Sequence, residues 1–353
     1  MAIIGEDSTL SPMEPSFSLC PNQDQRQLIE ALDRRVSAIA NPGASEDVLV
    51  GLDELGLIGA QLPEDQGGLD QSLPTMTLIH ERLGYWRTHP SVLEETVILT
   101  DLLGIPGPDL QTPSRACMDQ AIWAGKPTGV SASMDESGNW HLSGMVRLHR
   151  PPSPSDRCLI LFPDLDGQLR LAEARLGPID PSFQCSPLQP EQIQVGFVDL
   201  EVIAQEPLPS FAAARPAWAV LRAAELLGWS QSVLEQCVSY VQQREQFGGP
   251  IARFQAVQHA LARMMVAIEA ARSAVYGASC LLSTAKEGPQ WSHAAQAVLE
   301  SRSAARFCTQ EAIQIHGGMG YTKDCGLDRP LLTAYQIEAQ LNQMIDWNKA
   351  IAP

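Results

Sequence analysis

The chain has 353 residues, 44% of them hydrophobic, and this length predicts more than one domain. Its formal net charge of −17 argues against binding to nucleic acid or to an anionic membrane surface. No run of about eighteen apolar residues occurs. The N-terminus, with Glu6 and Asp7 early, lacks a signal or transit pattern, so we expect neither a membrane span nor a targeting segment.

The first part of the chain predicts an all-helical domain over 1–125. Apolar residues at three- and four-residue steps predict a helix over 22–39, and Ser45 is placed to cap a second one. A polar turn with two adjacent glycines follows at 62–69. Further helices are predicted over 71–87, 90–104 and 113–124.

From Gly125 onward the apolar residues recur with period two, which is typical of β-strands. The pattern predicts a small antiparallel, barrel-like β domain over 126–206. Its strands are predicted at 129–134, 140–148, 158–162, 169–174 and 193–203.

The remainder, 207–353, predicts a C-terminal four-helix bundle. The first helix is expected to end at Gln246. The others are expected over about 250–286, 289–316 and 329–350. The fold class is therefore α+β, with a helical, a β and a second helical domain in that order.

The eight cysteines are scattered, without the CxxC spacing of a zinc site or a redox pair. Cys237 and Cys308 fall on apolar helix faces, where a free thiol packs as a small hydrophobic group. We therefore expect no metal site and a reduced, cytoplasmic compartment.

Two glycine-containing segments of the C-terminal domain carry the functional signal. The first reads REQFGGPIARFQAVQH from Arg244, where Gly248 and Gly249 suit a helix end and Pro250 suits the next helix start. The second reads QIHGGMG from Gln314, and its glycines let backbone amides approach a phosphate. In this order, the two segments resemble the C-terminal signature of the acyl-CoA dehydrogenase family of flavoproteins.

The resemblance implies FAD as cofactor. It places the Arg244 guanidinium on the pyrophosphate of a flavin held mainly by a neighbouring subunit, although an interhelix salt bridge is the alternative role. The second segment would serve the chain's own flavin, which implies a homodimer or a dimer of dimers. The implied cofactor-binding residues are Arg244, Gln246, Phe247, Gln255, Gln314, Ile315, His316, Gly317 and Gly318.

By resemblance, the reaction is α,β-dehydrogenation of an acyl-CoA or acyl-carrier thioester, in fatty acid or sterol catabolism, with an electron-transfer flavoprotein as partner. A carboxylate must remove the α-proton. The two family positions for that base hold Gln336 and Trp218, which carry no carboxylate. Glu225 and Glu338 are the substitutes, and Glu225 could instead hold a buried polar network together.

The β domain departs from the family pattern where the flavin ring is usually contacted. The Thr-Glu-Pro loop is replaced at 128–135, and the Trp-Ile-Thr end of a later strand is replaced at 143–150. His149 could supply a donor there or lie on the surface.

These departures leave several functions open. The chain could be a dehydrogenase acting alone or with a paralogous partner. It could be a flavin-poor or non-catalytic subunit that completes the site of such a partner. A flavin monooxygenase of the same fold and a non-enzymatic helical bundle are further alternatives.

Overall fold

A computed structural model describes residues 21–39, 45–66, 68–88, 116–118, 129–148, 157–174, 185–186, 189–201, 204–207, 211–284 and 290–344. Within these ranges the chain forms seven α-helices and eight β-strands. The order is helices, then strands, then helices, as the sequence pattern indicates.

The N-terminal helices are α1 (Gln23–Ser37), α2 (Ser45–Glu54) and α3 (Leu73–Tyr85). α1 begins with a capping box, in which the Asn22 side chain accepts from the Gln25 amide and the Gln25 side chain accepts from the Asn22 amide. The predictions of helices over 22–39, from Ser45 and over 71–87 are confirmed. The helix predicted over 90–104 lies outside the described residues.

The strands are β1 (Ala116–Met118), β2 (Val130–Met134), β3 (Trp140–Leu148), β4 (Arg157–Pro163), β5 (Leu169–Ala174), β6 (Cys185–Ser186), β7 (Gln189–Glu201) and β8 (Ala204–Pro207). They form two four-stranded sheets, in the orders β1-β4-β5-β8 and β2-β3-β7-β6. All pairs are antiparallel except β1 with β4, which is parallel.

Two sequence predictions are corrected here. The described strands form two separate sheets, so the expected barrel-like closure is wrong for this part of the chain. The helix predicted over 113–124 is wrong at Ala116–Met118, because these residues pair with Arg157–Leu159 as an edge strand. The domain boundaries at 125 and 206 stay predictions.

The C-terminal helices are α4 (Phe211–Gln243), α5 (Gln255–Thr284), α6 (Gln290–His316) and α7 (Asp328–Met344). α4 packs along α5 and α6, and α7 packs on α4 and α6. The four helices predicted for this part of the chain are confirmed. α4 ends three residues earlier and α5 begins several residues later than expected, because a short hairpin occupies the space between them.

One core joins the first helices to the C-terminal ones. α3 crosses α4 so closely that an added Cβ on Gly84 would lie 2.2 Å from the Glu225 carbonyl oxygen, and one on Gly228 would lie 1.9 Å from that of Glu81. Tyr276 of α5 donates a 2.5 Å hydrogen bond to the Glu81 carboxylate, which Arg272 also contacts. This polar link fixes α3 against α5.

Candidate functional site

The segment after α4 is a tight hairpin that presents its side chains to solvent. The amide of Ile251 donates to the Arg244 carbonyl, and the amide of Gln246 donates to the Gly249 carbonyl. Glu245 and Pro250 pair as an antiparallel bridge. The backbone shape of this turn is therefore set by its own hydrogen bonds.

Two residues at the tip of this hairpin have left-handed backbone conformations, Phe247 with φ 52° and Gly248 with φ 84°. The Phe247 ring is 86% exposed and meets the Phe254 ring edge-on at 6.1 Å. Arg253 stabilises the tip, since its guanidinium donates to the carbonyls of Phe247 and Gly248. A non-glycine residue held at positive φ is costly, which is typical of turns that serve a function.

Arg244 is exposed, and its guanidinium makes no hydrogen bond or ion pair within the described part of the chain. The alternative of an interhelix salt bridge therefore finds no support among these residues. Gln246 and Gln255 are also exposed.

The segment after α6 is a second turn with an open face. Gly317 has φ 59°, and both Gly317 and Gly318 are exposed, with no atom within 4 Å of an added Cβ. Gly320 has the opposite role, because an added Cβ would lie 2.6 Å from the Ile313 carbonyl oxygen. The first two glycines leave space beside the backbone, whereas the third allows the turn to pack on its own helix.

Tyr240 joins the two segments within one chain, and the sequence analysis missed it. Its ring stacks on the His316 ring with centroids 4.1 Å apart, and its hydroxyl lies 3.5 Å from the His316 carbonyl oxygen. Its own carbonyl accepts the Arg244 amide. The sequence signal that could have identified Tyr240 is its position, an aromatic residue one helical turn before Arg244. The two segments thus lie together at one end of the helices, so they need not act on different flavins.

His316 is buried, and its Nδ1 donates to the Ala312 carbonyl at 2.8 Å. Gln314 is exposed and Ile315 packs against the core. Of the second segment, the outward groups are therefore the side chains of Gln314 and Met319 and the backbone of Gly317 and Gly318.

Together, the two turns offer an unpaired guanidinium, an exposed aromatic ring and backbone free of side chains. These are the groups that bind a phosphate and stack on a flat heterocycle. The geometry therefore fits the phosphate-bearing part of a dinucleotide such as FAD.

Glu225 lies far from solvent, with 1% exposure, between α3 and α4. Its carboxylate accepts from the Arg222 guanidinium and lies 3.1 Å from His80 Nδ1. Burial lowers the pKa of Arg222, and the Glu225 carboxylate opposes that shift. With both oxygens engaged by this chain, the arrangement supports a buried polar network at Glu225 over a proton-abstracting base.

Glu338 of α7 is the more accessible of the two substitutes. Its Oε1 lies 3.7 Å from Arg302 and 3.8 Å from Arg306, and its Oε2 is buried without a partner in the described part of the chain. A groove of about 490 Å³ runs beside these arginines on α6, lined by Arg302, Ser303, Arg306 and Gln310 among others. Glu338 therefore stays a candidate base, held between two cations.

The structure describes part of the β domain's departure from the family pattern. Ser143 and Gly144 lie in β3, where an added Cβ on Gly144 would lie 2.0 Å from the Gly129 carbonyl oxygen. Glycine is therefore required there by strand packing. His149 lies outside the described residues, and Gln336 lies in α7.

Cys237 and Cys308 are fully buried among apolar residues, as predicted, and burial raises the pKa of each thiol to about 12.

No group of three metal-ligating side chains occurs in the described ranges. α5 is long and apolar enough to cross a membrane by length and composition, but it packs along α4 and α6. The expectations of no metal, no membrane and a cytoplasmic location stay predictions.

The amino-acid sequence of this chain is similar to those of known acyl-CoA dehydrogenases. Residues 217–339 match the family description "Acyl-CoA dehydrogenase, C-terminal domain". The chain is 26% identical over 320 residues to acyl-CoA dehydrogenase IpdE2 of Mycobacterium tuberculosis, covering 86% of this chain and 88% of that protein.

It is also 34% identical over 128 residues to the 3-(aryl)acrylate reductase of Clostridium sporogenes, covering 35% of this chain and 33% of that protein. The match thus spans about a third of the reductase's length.

Among solved structures, the ChsE4-ChsE5 complex from Mycobacterium tuberculosis matches with a TM-score of 0.72. That match has 19% identity and covers 92% of this chain and 95% of that one. It shows a shared fold, with helices before and after a small β region.

Proposed function

The chain belongs to the acyl-CoA dehydrogenase family of flavoproteins, and from this premise we propose that it works as an FAD-dependent oxidoreductase on acyl thioesters. The proposed reaction removes hydrogen from the α and β carbons of the acyl group. Substrates of fatty acid or sterol breakdown and transfer of electrons to an electron-transfer flavoprotein belong to the same proposal.

The observation that carries the proposal is the joint position of the two turns. The Tyr240 ring stacks on the His316 ring, and the Tyr240 carbonyl accepts the Arg244 amide, so the two turns lie at the same end of α4 and α6. A dinucleotide is long enough to touch both, and its pyrophosphate suits a guanidinium.

In this arrangement Arg244 would hold the pyrophosphate, and the backbone of Gly317 and Gly318 would take up the adjoining part of the nucleotide. Phe247 would cover a flat ring. When bound, FAD supplies the acceptor for the hydride of the β carbon. The chain's own residues would bind and orient FAD, and the Arg244 guanidinium would pair with its pyrophosphate.

The described residues include no carboxylate that is well placed to remove the α-proton. Glu225 is enclosed and paired with Arg222 and His80. Glu338 is more accessible, but Arg302 and Arg306 flank its carboxylate. We therefore rank Glu338 above Glu225 on access alone.

A second candidate function follows from the enclosure of Glu225. The chain could complete the flavin site of a paralogous partner that supplies the base. The similarity in fold to a chain of the ChsE4-ChsE5 complex is consistent with such an assembly.

One experiment separates the two. The chain is purified alone and again after co-expression with a paralogue, and the visible flavin absorbance and the thioester-dependent reduction of an artificial acceptor are measured. A yellow, active chain alone supports the first function. A colourless, inactive chain that becomes active with the paralogue supports the second. A preparation that stays colourless and inactive in both cases contradicts both.

A further inference from the structure

Arg87, two residues after the end of α3, has two features that cost free energy. Its backbone has φ 54°, a left-handed conformation that residues other than glycine rarely adopt. Its guanidinium is partly buried, and within the described ranges no carboxylate pairs with it. Burial lowers the pKa of Arg87. Backbone strain and a buried cation at one residue are typical of a functional constraint.

The Arg87 guanidinium donates to two neutral side chains of α4. Its Nε donates to the Ser232 hydroxyl at 3.0 Å, and its Nη2 donates to Gln236 Oε1 at 2.7 Å. Because a guanidinium can only donate, it holds the oxygen side of the Gln236 amide toward itself. The Nε2 side of that amide then donates to the Cys325 carbonyl at 2.8 Å. Arg87 thus sets the direction of the Gln236 amide.

Cys325 lies near the end of the segment that begins with the two open glycines. Between Gly317 and Gly326 the chain forms two short 3₁₀ turns. Their backbone hydrogen bonds are local, such as the bond from the Thr322 amide to the Met319 carbonyl at 3.0 Å. The Gln236 amide, by contrast, ties the end of the segment to α4.

The segment therefore has two supports on one side of α4, because Gln236 and Tyr240 are one helical turn apart. The Tyr240 ring supports the start of the segment through His316, and the Gln236 amide supports its end at Cys325. In sequence, the open backbone of Gly317 lies between these two supports. A change in the direction of the Gln236 amide would release one end of the segment.

We propose that Arg87 is a positioning residue for flavin binding, which acts through Gln236 on the segment from Gly317 to Gly326. This inference rests on the proposed function, since it assigns the two open glycines to FAD. It adds a residue that follows the N-terminal helices to a site otherwise built from α4, α6 and their turns. In this role Arg87 orients an amide and makes no contact with the cofactor.

The first test is FAD affinity, measured by calorimetric titration of the dimeric or partnered full chain. Arg87→Met and Gln236→Leu should each weaken FAD binding by about fivefold, because each disturbs the hydrogen bond that holds the end of the segment. The double variant should bind FAD no more weakly than Gln236→Leu alone, because Arg87 acts through Gln236.

Gln236→Glu separates positioning from stability. Its carboxylate can pair with Arg87 but cannot donate to the Cys325 carbonyl. This variant should keep the midpoint of urea unfolding near that of the wild type, yet lose FAD affinity as Gln236→Leu does. If the link served stability alone, the FAD affinity of Gln236→Glu would stay unchanged.

Two matched controls change the same residue types on the same elements. Arg82 of α3 donates to the Asp33 carboxylate, and Gln231 of α4 donates to Glu235. Arg82→Met and Gln231→Leu remove these contacts without touching the link to Cys325, so both should leave the FAD affinity unchanged.

A second measurement needs no flavin. Hydrogen exchange followed by mass spectrometry reports on the amides of Thr322, Cys325 and Gly326, which donate within the segment. Their exchange should become several-fold faster in Arg87→Met and Gln236→Leu and should not change in the two controls.

Unchanged FAD affinity in Gln236→Leu would overturn the proposal, and so would a double variant that binds FAD more weakly than either single variant. Exchange in the segment that does not respond to Arg87→Met would also overturn it. A wild-type chain that binds no FAD, alone or partnered, would instead contradict the proposed function, and the exchange measurement would then decide the link by itself.

Discussion

Two charged regions of this protein differ in how they are completed. The cluster of His80, Arg222 and Glu225 is enclosed between α3 and α4, and its members bind one another. The open end around Arg244 and Gly317 has a backbone shape fixed by its own hydrogen bonds. In the described chain, however, the Arg244 guanidinium makes no hydrogen bond or ion pair, and the space beside Gly317 is open. The first region pairs its charged groups within the fold, whereas the second leaves a guanidinium and glycine backbone open to a ligand.

The difference teaches how to read a carboxylate in an apolar helix. Burial alone suggests a proton-abstracting base, but pairing with a neighbouring guanidinium makes the same residue part of the structural framework. The open end shows the reverse: a well-ordered turn that leaves a cation unpaired indicates a ligand.

The largest expected effect is at the enclosed cluster. Glu225→Ala leaves the Arg222 guanidinium buried without its carboxylate, and it should lower the free energy of unfolding by about 3–5 kcal/mol. Urea unfolding followed by circular dichroism measures this.

Replacing both members, as Arg222→Leu with Glu225→Leu, removes the uncompensated charge and should recover most of that loss. A Glu225→Ala chain with unchanged stability and no thioester activity would instead make Glu225 catalytic, and the contrast between the two regions would fail.

The next effect is at the close crossing of α3 and α4 that supports the cluster. Gly228→Ala would press a methyl group against the Glu81 carbonyl and should cost about 1–3 kcal/mol. The control is Gly277→Ala in α5, where an added Cβ meets no atom within 4 Å. That variant should gain about 0.5–1 kcal/mol, since alanine favours a helix. Equal effects at the two glycines would contradict the tight crossing.

Much of this fold could be predicted from the sequence, since apolar periodicity located α1 and the first two C-terminal helices, α4 and α5. The strand at Ala116–Met118 could not, because it is three residues long and exists by pairing with a distant β4. At the cluster, Arg222 stands three residues before Glu225 and could have been noticed. His80 could not, because it is 145 residues away and only the fold brings it there.

A smaller effect is expected where the two turns meet. Tyr240→Leu removes the ring stacked on His316 and should cost about 1 kcal/mol of stability. It should also weaken flavin binding, because the two turns lose their common support. Tyr240→Phe keeps the ring and should change both quantities little. Flavin binding unchanged in Tyr240→Leu would mean that the two turns act separately.

The smallest effect on stability is expected at Arg244. Its side chain is exposed and unpaired in the described chain, so Arg244→Ala should change the free energy of unfolding by less than about 0.5 kcal/mol. A larger loss would show that Arg244 belongs to the framework, like Arg222.

The same residue allows the most direct test of the open end as a flavin site. Calorimetric titration of the dimeric or partnered chain with FAD is compared for wild type, Arg244→Lys and Arg244→Ala, with Arg34→Ala as an exposed control. We expect Arg244→Ala to lose at least about tenfold in FAD affinity, Arg244→Lys to lose less because it keeps the charge without the two-pronged contact, and the control to lose nothing. Equal FAD affinity in all four chains would contradict a flavin site at this end of the helices.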